Sequence, residues 1–248
     1  MAAQADIVPL LIHGFLDKGA IWRALTGHLG VLAGRALAPD SAGAGMRAAA
    51  EGPFTLRRQA TEAIALIDER PEARFLVVGH SMGGQVAELA AQARPDREAA
   101  LVLMTAVPLA GLNMPPESRT LLRGSGGNAE TQRGIRRSLS RHLSEADLAL
   151  LLDPGTLMGA AATEGYYDAF TAGDESGTGR STYPGPVLLL AARQDPVISM
   201  EMTGSMRSSR FPDSDFAIVE ESGHWPHLEQ PQQSAEAILR FASAEGLS

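Results

Sequence analysis

Arg74-Phe-Leu-Val-Val-Gly-His-Ser-Met-Gly-Gly84 decides the fold. A short apolar run ends at Gly79, and a helical pattern begins almost at once. Over Gly83–Arg94, Val86, Leu89, Ala90 and Ala93 recur at i, i+3, i+4 and i+7, and Pro95 stops the pattern. Strand, sharp turn and helix therefore meet around Ser81. A serine on such a turn is strained, and only small residues fit two positions to either side, hence Gly79 and Gly83. The turn lifts the hydroxyl clear of a sheet and sets it at a helix N-terminus. Backbone N–H groups there can stabilise a developing oxyanion.

Outward from this turn, short apolar runs recur at Ile7–Ile12, Val31–Ala38, Phe75–Val78, Ala100–Thr105, Val187–Ala192 and Phe216–Val219. They are continuous rather than alternating, which suits parallel strands buried on both faces. Helical patterns lie between them. Ala60, Ala63, Ile64 and Ile67 mark one over Thr55–Glu69, and Ala235, Ile238, Leu239 and Phe241 mark the last. Alternating strands and helices predict an α/β fold with a mostly parallel, doubly wound sheet. Between Thr105 and Tyr183 the rhythm fails. Pro115-Pro116 and the region of Gly126 read as loop, Arg133–His142 and Glu164–Phe170 as helix, and Ser144–Asp147 as a helix start. The expected organisation is a core of residues 1–108 and 184–248 with a helical cap at 109–183.

A serine nucleophile needs a base, and the base an orienting carboxylate. His224 follows the last apolar run, which places it on the same sheet edge as Ser81. Asp195 follows Val187–Ala192 on that edge as well. His227 is followed by the turn into the last helix, and Asp213 and Asp215 precede a strand. Glu220 and Glu221 are the fallback acids. The candidate catalytic residues are thus Ser81, Asp195 and His224. His13-Gly14-Phe15 ends the first run at the same edge, so the Phe15 and Met82 N–H groups are the candidate oxyanion donors. His13, Gly14, His80, Leu109, Met114, Met158, Phe170 and Trp225 are candidate substrate contacts. Met104 and Leu112 could also line a pocket, or belong to the core.

These residues closely resemble the α/β-hydrolase superfamily. The resemblance rests on His13-Gly14-Phe15 with Trp22 downstream, Gly79–Gly84, Gln194-Asp195-Pro196, and Gly223-His224 with Glu229 and Pro231 beyond. It covers nearly the whole chain, the cap least specifically. The order Ser, Asp, His agrees with it. No room exists for an N-terminal antiparallel hairpin, which is similar to a compact bacterial serine esterase/lactonase-like branch. Ala38–Gly45 looks like a worn form of an Asp–small–Gly loop. The resemblance implies hydrolysis of a carboxylic ester or lactone of small to medium, hydrophobic character, without cofactor or metal. Ser81 argues against members with an aspartate nucleophile, and Met82 does not fit the proline iminopeptidase pattern. Tyr166 and Tyr167 are then packing residues. The same scaffold hosts C–C bond hydrolases, lyases, perhydrolases, acyltransferases and ligand receptors. Lys18, the only lysine, is badly placed for a lyase.

Composition narrows the rest. The chain of 248 residues is 44% apolar and 20% charged, as for a globular protein. Its 21 basic and 29 acidic residues leave −8, unsuited to nucleic acid. The absence of cysteine excludes thiolate chemistry and disulfides. No run reaches the roughly 20 apolar residues of a membrane span, and the first residues lack a basic region before the apolar run. The expectation is a cytoplasmic protein that acts on a small-molecule ester or lactone, with no nucleic-acid or membrane partner and no oligomeric state implied. Arg119, Arg123, Arg133, Arg136, Arg137 and Arg141 give the cap a basic bias. They read as solvated helix faces, or one of them as a ligand for a substrate carboxylate.

Overall fold

The computed structural model describes residues 6–247. The predicted apolar runs become β1 (Ile7–Ile12), β2 (Arg74–His80), β3 (Glu98–Met104), β4 (Val187–Ala192) and β5 (Asp215–Val219). They pair in sequence order, and every pairing is parallel. The sheet is thus wholly parallel rather than mostly so. Alternate side chains point to opposite faces, so each strand feeds two cores. Leu10, Val77, Leu101 and Leu189 pack on one side. Leu11, Val78, Val102 and Leu190 pack on the other.

Helices cover both faces. In chain order they are α1 (Arg23–Thr26), α2 (Leu56–Asp68), α3 (Met82–Ala93), α4 (Pro116–Arg123), α5 (Ala129–Leu139), α6 (Glu145–Leu151), α7 (Ala160–Ala172), α8 (Met200–Ser209), α9 (Pro226–Glu229) and α10 (Pro231–Ala244). The periodic residues Ala60, Ala63 and Ile67 of α2 and Val86 and Ala90 of α3 enter the first core. Leu25, Ile238 and Phe241 enter the second. Thr55 caps α2 by accepting from the Arg58 N–H at 3.2 Å. Ser144 and Asp147 form a reciprocal capping box on α6. Between β3 and β4 the chain forms only helices and turns.

One predicted strand is absent. The 3-10 helix Gly30–Arg35 takes up most of Val31–Ala38, and only Leu37 of that run pairs with the sheet, by a single parallel bridge to Leu10. Val31 is 83% exposed. A run interrupted by Gly34 with a solvent-facing valine cannot be buried on two faces, so it forms no strand. The bridge nevertheless settles the winding. The chain moves outward from β1 to Leu37, then crosses back to β2 on the other side. The C-terminal ends of β1 and β2 therefore meet where the winding reverses, the point at which such sheets place ligands.

Glu98 is an uncompensated group in this core. It is 1% exposed, and neither carboxylate oxygen has a partner among the described residues. Burial pushes its carboxyl well above the usual carboxylate range. Its contribution to stability is complete below the unfolded value of about 4.3 and is lost as pH rises through the folded value. Glu98→Gln should therefore raise the melting temperature at pH 8 and change it little at pH 4. In a domain of this size each 1 kcal/mol is worth about 2–4 °C. Calorimetry at the two pH values checks this, and equal shifts would contradict it.

Candidate active site

Ser81 sits between β2 and α3 with φ 54° and ψ −123°. Glycine is required on both sides of it. A Cβ on Gly79 would press into the Gly83 carbonyl, and one on Gly83 into the carbonyls of Ile12 and His13. The turn is thus wedged against the end of β1. The Ser81 N–H donates to the Met104 carbonyl at 3.1 Å, and the Ser81 carbonyl accepts from Val107 at 3.1 Å. The side chain is left to a different partner. Its Oγ lies 3.0 Å from His224 Nε2, and His224 Nδ1 lies 2.7 Å from Asp195 Oδ2.

Each member of this relay is fixed from behind. Asp195, in the turn after β4, accepts from the Val197 and Ile198 N–H groups on Oδ1 at 2.8 and 3.0 Å. Its Oδ2 is left for the imidazole. The His224 carbonyl accepts from His80 Nε2 at 2.7 Å and Thr105 Oγ1 at 3.2 Å. Glu229 accepts from the N–H groups of Gly223 and Trp225, both at 3.1 Å, and so brackets His224. The same carboxylate accepts from Arg141 and His142 N–H at 2.6 and 2.9 Å, tying the His224 loop to the segment after α5. The sequence showed Glu229 only as part of a pattern; its grip on four N–H groups is visible only in three dimensions.

Electrostatics separate the histidines. Burial opposes charge on His224, but the Asp195 carboxylate and its hydrogen bond outweigh this and raise the imidazole above its usual value. His80 is pulled down to about 4 by burial and by the nearby His224. His227 is held well below its usual value by burial and by His80 and His224 beside it, and it packs on Trp22 with ring centroids 4.5 Å apart. His80 and His227 are therefore neutral supports beneath the single histidine that faces Ser81.

The His13-Gly14-Phe15 turn lies beside the serine. A Cβ on Gly14 would stand 3.0 Å from Ser81 Cβ. No hydrogen bond takes up the Phe15 N–H among the described residues. Met82 is the first residue of α3. The Phe15 ring packs against Phe170 and Tyr167 of α7, with centroids 5.2 and 6.2 Å apart. A cavity of about 50 Å³ opens over Ser81 and His224, walled by Leu112, Met114, Leu122, Phe170 and Trp225 among others. It shares Leu112, Met114, Leu122, Ile135, Leu139 and Val197 with an outer groove of about 300 Å³ that runs along α4 and α5.

Several predicted substrate contacts lie elsewhere. Met114, Phe170 and Trp225 border the cavity, whereas His13, Gly14, His80, Leu109 and Met158 do not. His13 and His80 are fully buried: His13 Nε2 accepts from the Ser41 N–H at 3.0 Å, while His80 braces the His224 loop. Gly14 is pressed between His80 and Ser81. Leu109, Met104 and Met158 are core. Apolar residues flanking a site serve equally to fill it or to support it, and here these support. The arginines also divide. Arg123 pairs with Asp168, and Arg133 and Arg137 with Glu145, on the surface as expected. Arg136 is instead fully buried and borders the cavity. Among the described residues no cluster of three or more acidic or histidine side chains could hold a metal ion. None of the described helices is long and apolar enough to cross a membrane.

A parallel sheet wound both ways from β1, with a strained serine on its strand-to-helix turn and His and Asp at neighbouring strand ends, has the architecture of an α/β hydrolase. The comparisons agree: the alpha/beta hydrolase family matches residues 10–237, and the chain belongs to that family. It is 28% identical over 260 residues to a pyrethroid hydrolase of Sphingobium wenxiniae, covering 95% of this chain and 87% of that one. It is 43% identical over 95 residues to the lipase LipV of Mycobacterium tuberculosis, a match spanning 38% of this chain and 35% of the lipase. The esterase EaEST of Exiguobacterium antarcticum shares the fold, with a TM-score of 0.82 at 17% identity over 97% of this chain and 93% of that one.

Proposed function

We propose that this chain is a serine-dependent hydrolase of carboxylic esters or lactones with a small-to-medium hydrophobic acyl or alcohol part. The observation that carries this reading is the relay from Ser81 Oγ through His224 to Asp195, at 3.0 and 2.7 Å. His224 takes the hydroxyl proton as Ser81 attacks the carbonyl. The N–H groups of Phe15 and Met82 hold the oxyanion. The imidazolium then protonates the leaving alcohol, and the freed base activates water to clear the acyl-enzyme. Asp195 holds the imidazole tautomer and stabilises its cation. Residues 109–183 act as a cap whose inner wall shapes the substrate. The narrow cavity at Ser81 seats the reacting carbonyl, and the apolar groove beyond it takes the longer arm. Steady-state hydrolysis of p-nitrophenyl esters from acetate to laurate tests this. Serine-dependent turnover with a chain-length optimum supports it, and no turnover across the series opposes it.

The base also sets a pH profile. Only neutral His224 can accept the serine proton, and its carboxylate partner raises its pKa above 6.5. The value of kcat/KM should therefore climb with pH, with its midpoint above 6.5. A profile measured from about pH 5 to 9 checks this. A flat line would remove the histidine from the rate-determining proton transfer.

A further inference from the structure

Leu16, which follows the Phe15 oxyanion donor, has φ 63°, a left-handed conformation unusual for a branched side chain. Something must hold it there. Its carbonyl accepts a hydrogen bond from Arg136 Nη2, which reaches down from α5. The same nitrogen lies 3.4 Å from Asp17 Oδ1, and Arg136 Nη1 donates to Gln132 Oε1 at 3.2 Å. Arg136 is 0% exposed and Asp17 2%. The other oxygen of Asp17 accepts from Trp225 Nε1 at 3.1 Å, and Trp225 adjoins His224. One turn further along α5, the Leu139 carbonyl accepts from the His224 N–H at 2.8 Å. Arg136 and Leu139 are three residues apart, on one face of the helix. A single helix outside the sheet thus grips both the oxyanion turn and the base.

We infer that Arg136 and Asp17 are positioning residues: with α5 they set the oxyanion-hole turn at a fixed distance from His224. The inference rests on the reading of Ser81, His224 and Asp195 given above. Burying an ion pair brings little net stability, because desolvation offsets the attraction. Holding a strained turn in register is what this pair does geometrically. Lysine is no substitute, since one ammonium cannot reach the Leu16 carbonyl, Asp17 and Gln132 with the geometry of a planar guanidinium. Arg136 touches no reacting atom. Its loss should act on the transition state, where the oxyanion forms, and hardly on ground-state binding.

The test uses Arg136→Met, Arg136→Lys and the double variant Asp17→Asn/Arg136→Met, which leaves no orphaned buried charge. Two readouts are taken: kcat and KM for p-nitrophenyl butyrate, and the rate at which a fluorophosphonate modifies Ser81, followed by mass. In that modification the Ser81 oxygen bonds to phosphorus, fluoride leaves, and His224 takes the hydroxyl proton. In the folded double variant kcat and the modification rate should fall about 10–100-fold, with KM within about threefold. Arg136→Lys should fold and still lose about tenfold, and it is decisive should the other variants not fold. Rates within about twofold of the parent would overturn the inference alone. So would a raised KM with unchanged kcat, which would make Arg136 a substrate-binding group. A parent protein whose Ser81 is not modified would overturn both this inference and the reading beneath it.

Discussion

Ser81→Ala should lower kcat by about 10⁵–10⁶-fold, the scale seen when a triad serine is removed and only binding and the oxyanion hole remain. The change should leave the fold standing. Ser81 has φ 54°, but alanine carries the same Cβ and adds no strain to that conformation. The bonds that anchor the turn are all backbone: the N–H to Met104, and the carbonyl to Gly84 and Val107. What is lost is one hydroxyl at 3.0 Å from His224 Nε2, beside a cavity. The melting temperature should therefore move by no more than about 2–4 °C, the effect of roughly 1 kcal/mol. Kinetics and a thermal melt on the same preparation check both halves. Near-normal turnover in a folded variant would take Ser81 out of the chemistry.

The sequence reveals features that are local and hides those that depend on distant partners. The turn at Ser81 is legible because strand, glycines and helix are contiguous. Asp195 and His224 are legible because each follows an apolar run, and a parallel sheet sends all such ends to one edge. Val31–Ala38 misleads because its apolar composition resembles a strand, yet only Leu37 pairs with β1, and the 3-10 helix before it packs on the sheet without joining it. Arg136 misleads for the same kind of reason. It stands among surface arginines in the sequence, and its partner Asp17 is 119 positions away. The cavity wall is the least legible part. In the loops that lead into α4 and α7, Met114 and Met158 look alike, and only packing sends one to the cavity and the other to the core. The fold is written in periodicity, whereas the cavity wall is written in how side chains far apart in the chain pack together.

Asp195→Asn should reduce kcat by about 10⁴-fold, and the reason lies in how the carboxylate is held. Oδ1 already accepts two backbone N–H groups, from Val197 and Ile198. An asparagine must give its carbonyl oxygen to those donors, because its amide nitrogen cannot accept. The NH₂ group then occupies the place of Oδ2, 2.7 Å from His224 Nδ1. It is a donor, so the imidazole must present a bare Nδ1 and carry its proton on Nε2. That proton faces Ser81 Oγ, and a nitrogen already protonated cannot take the serine's. The variant is nearly isosteric, so KM and the melting temperature should change little while kcat collapses. Loss of the carboxylate also removes the charge that lifts the His224 pKa. The residual activity should therefore rise at lower pH than in the parent. Glu220 provides the control: it is exposed and paired with Arg193 at 2.8 Å, so Glu220→Gln should change kcat by less than about twofold. If Asp195→Asn were mild and Glu220→Gln or Glu221→Gln severe, the acid would have been assigned to the wrong strand end.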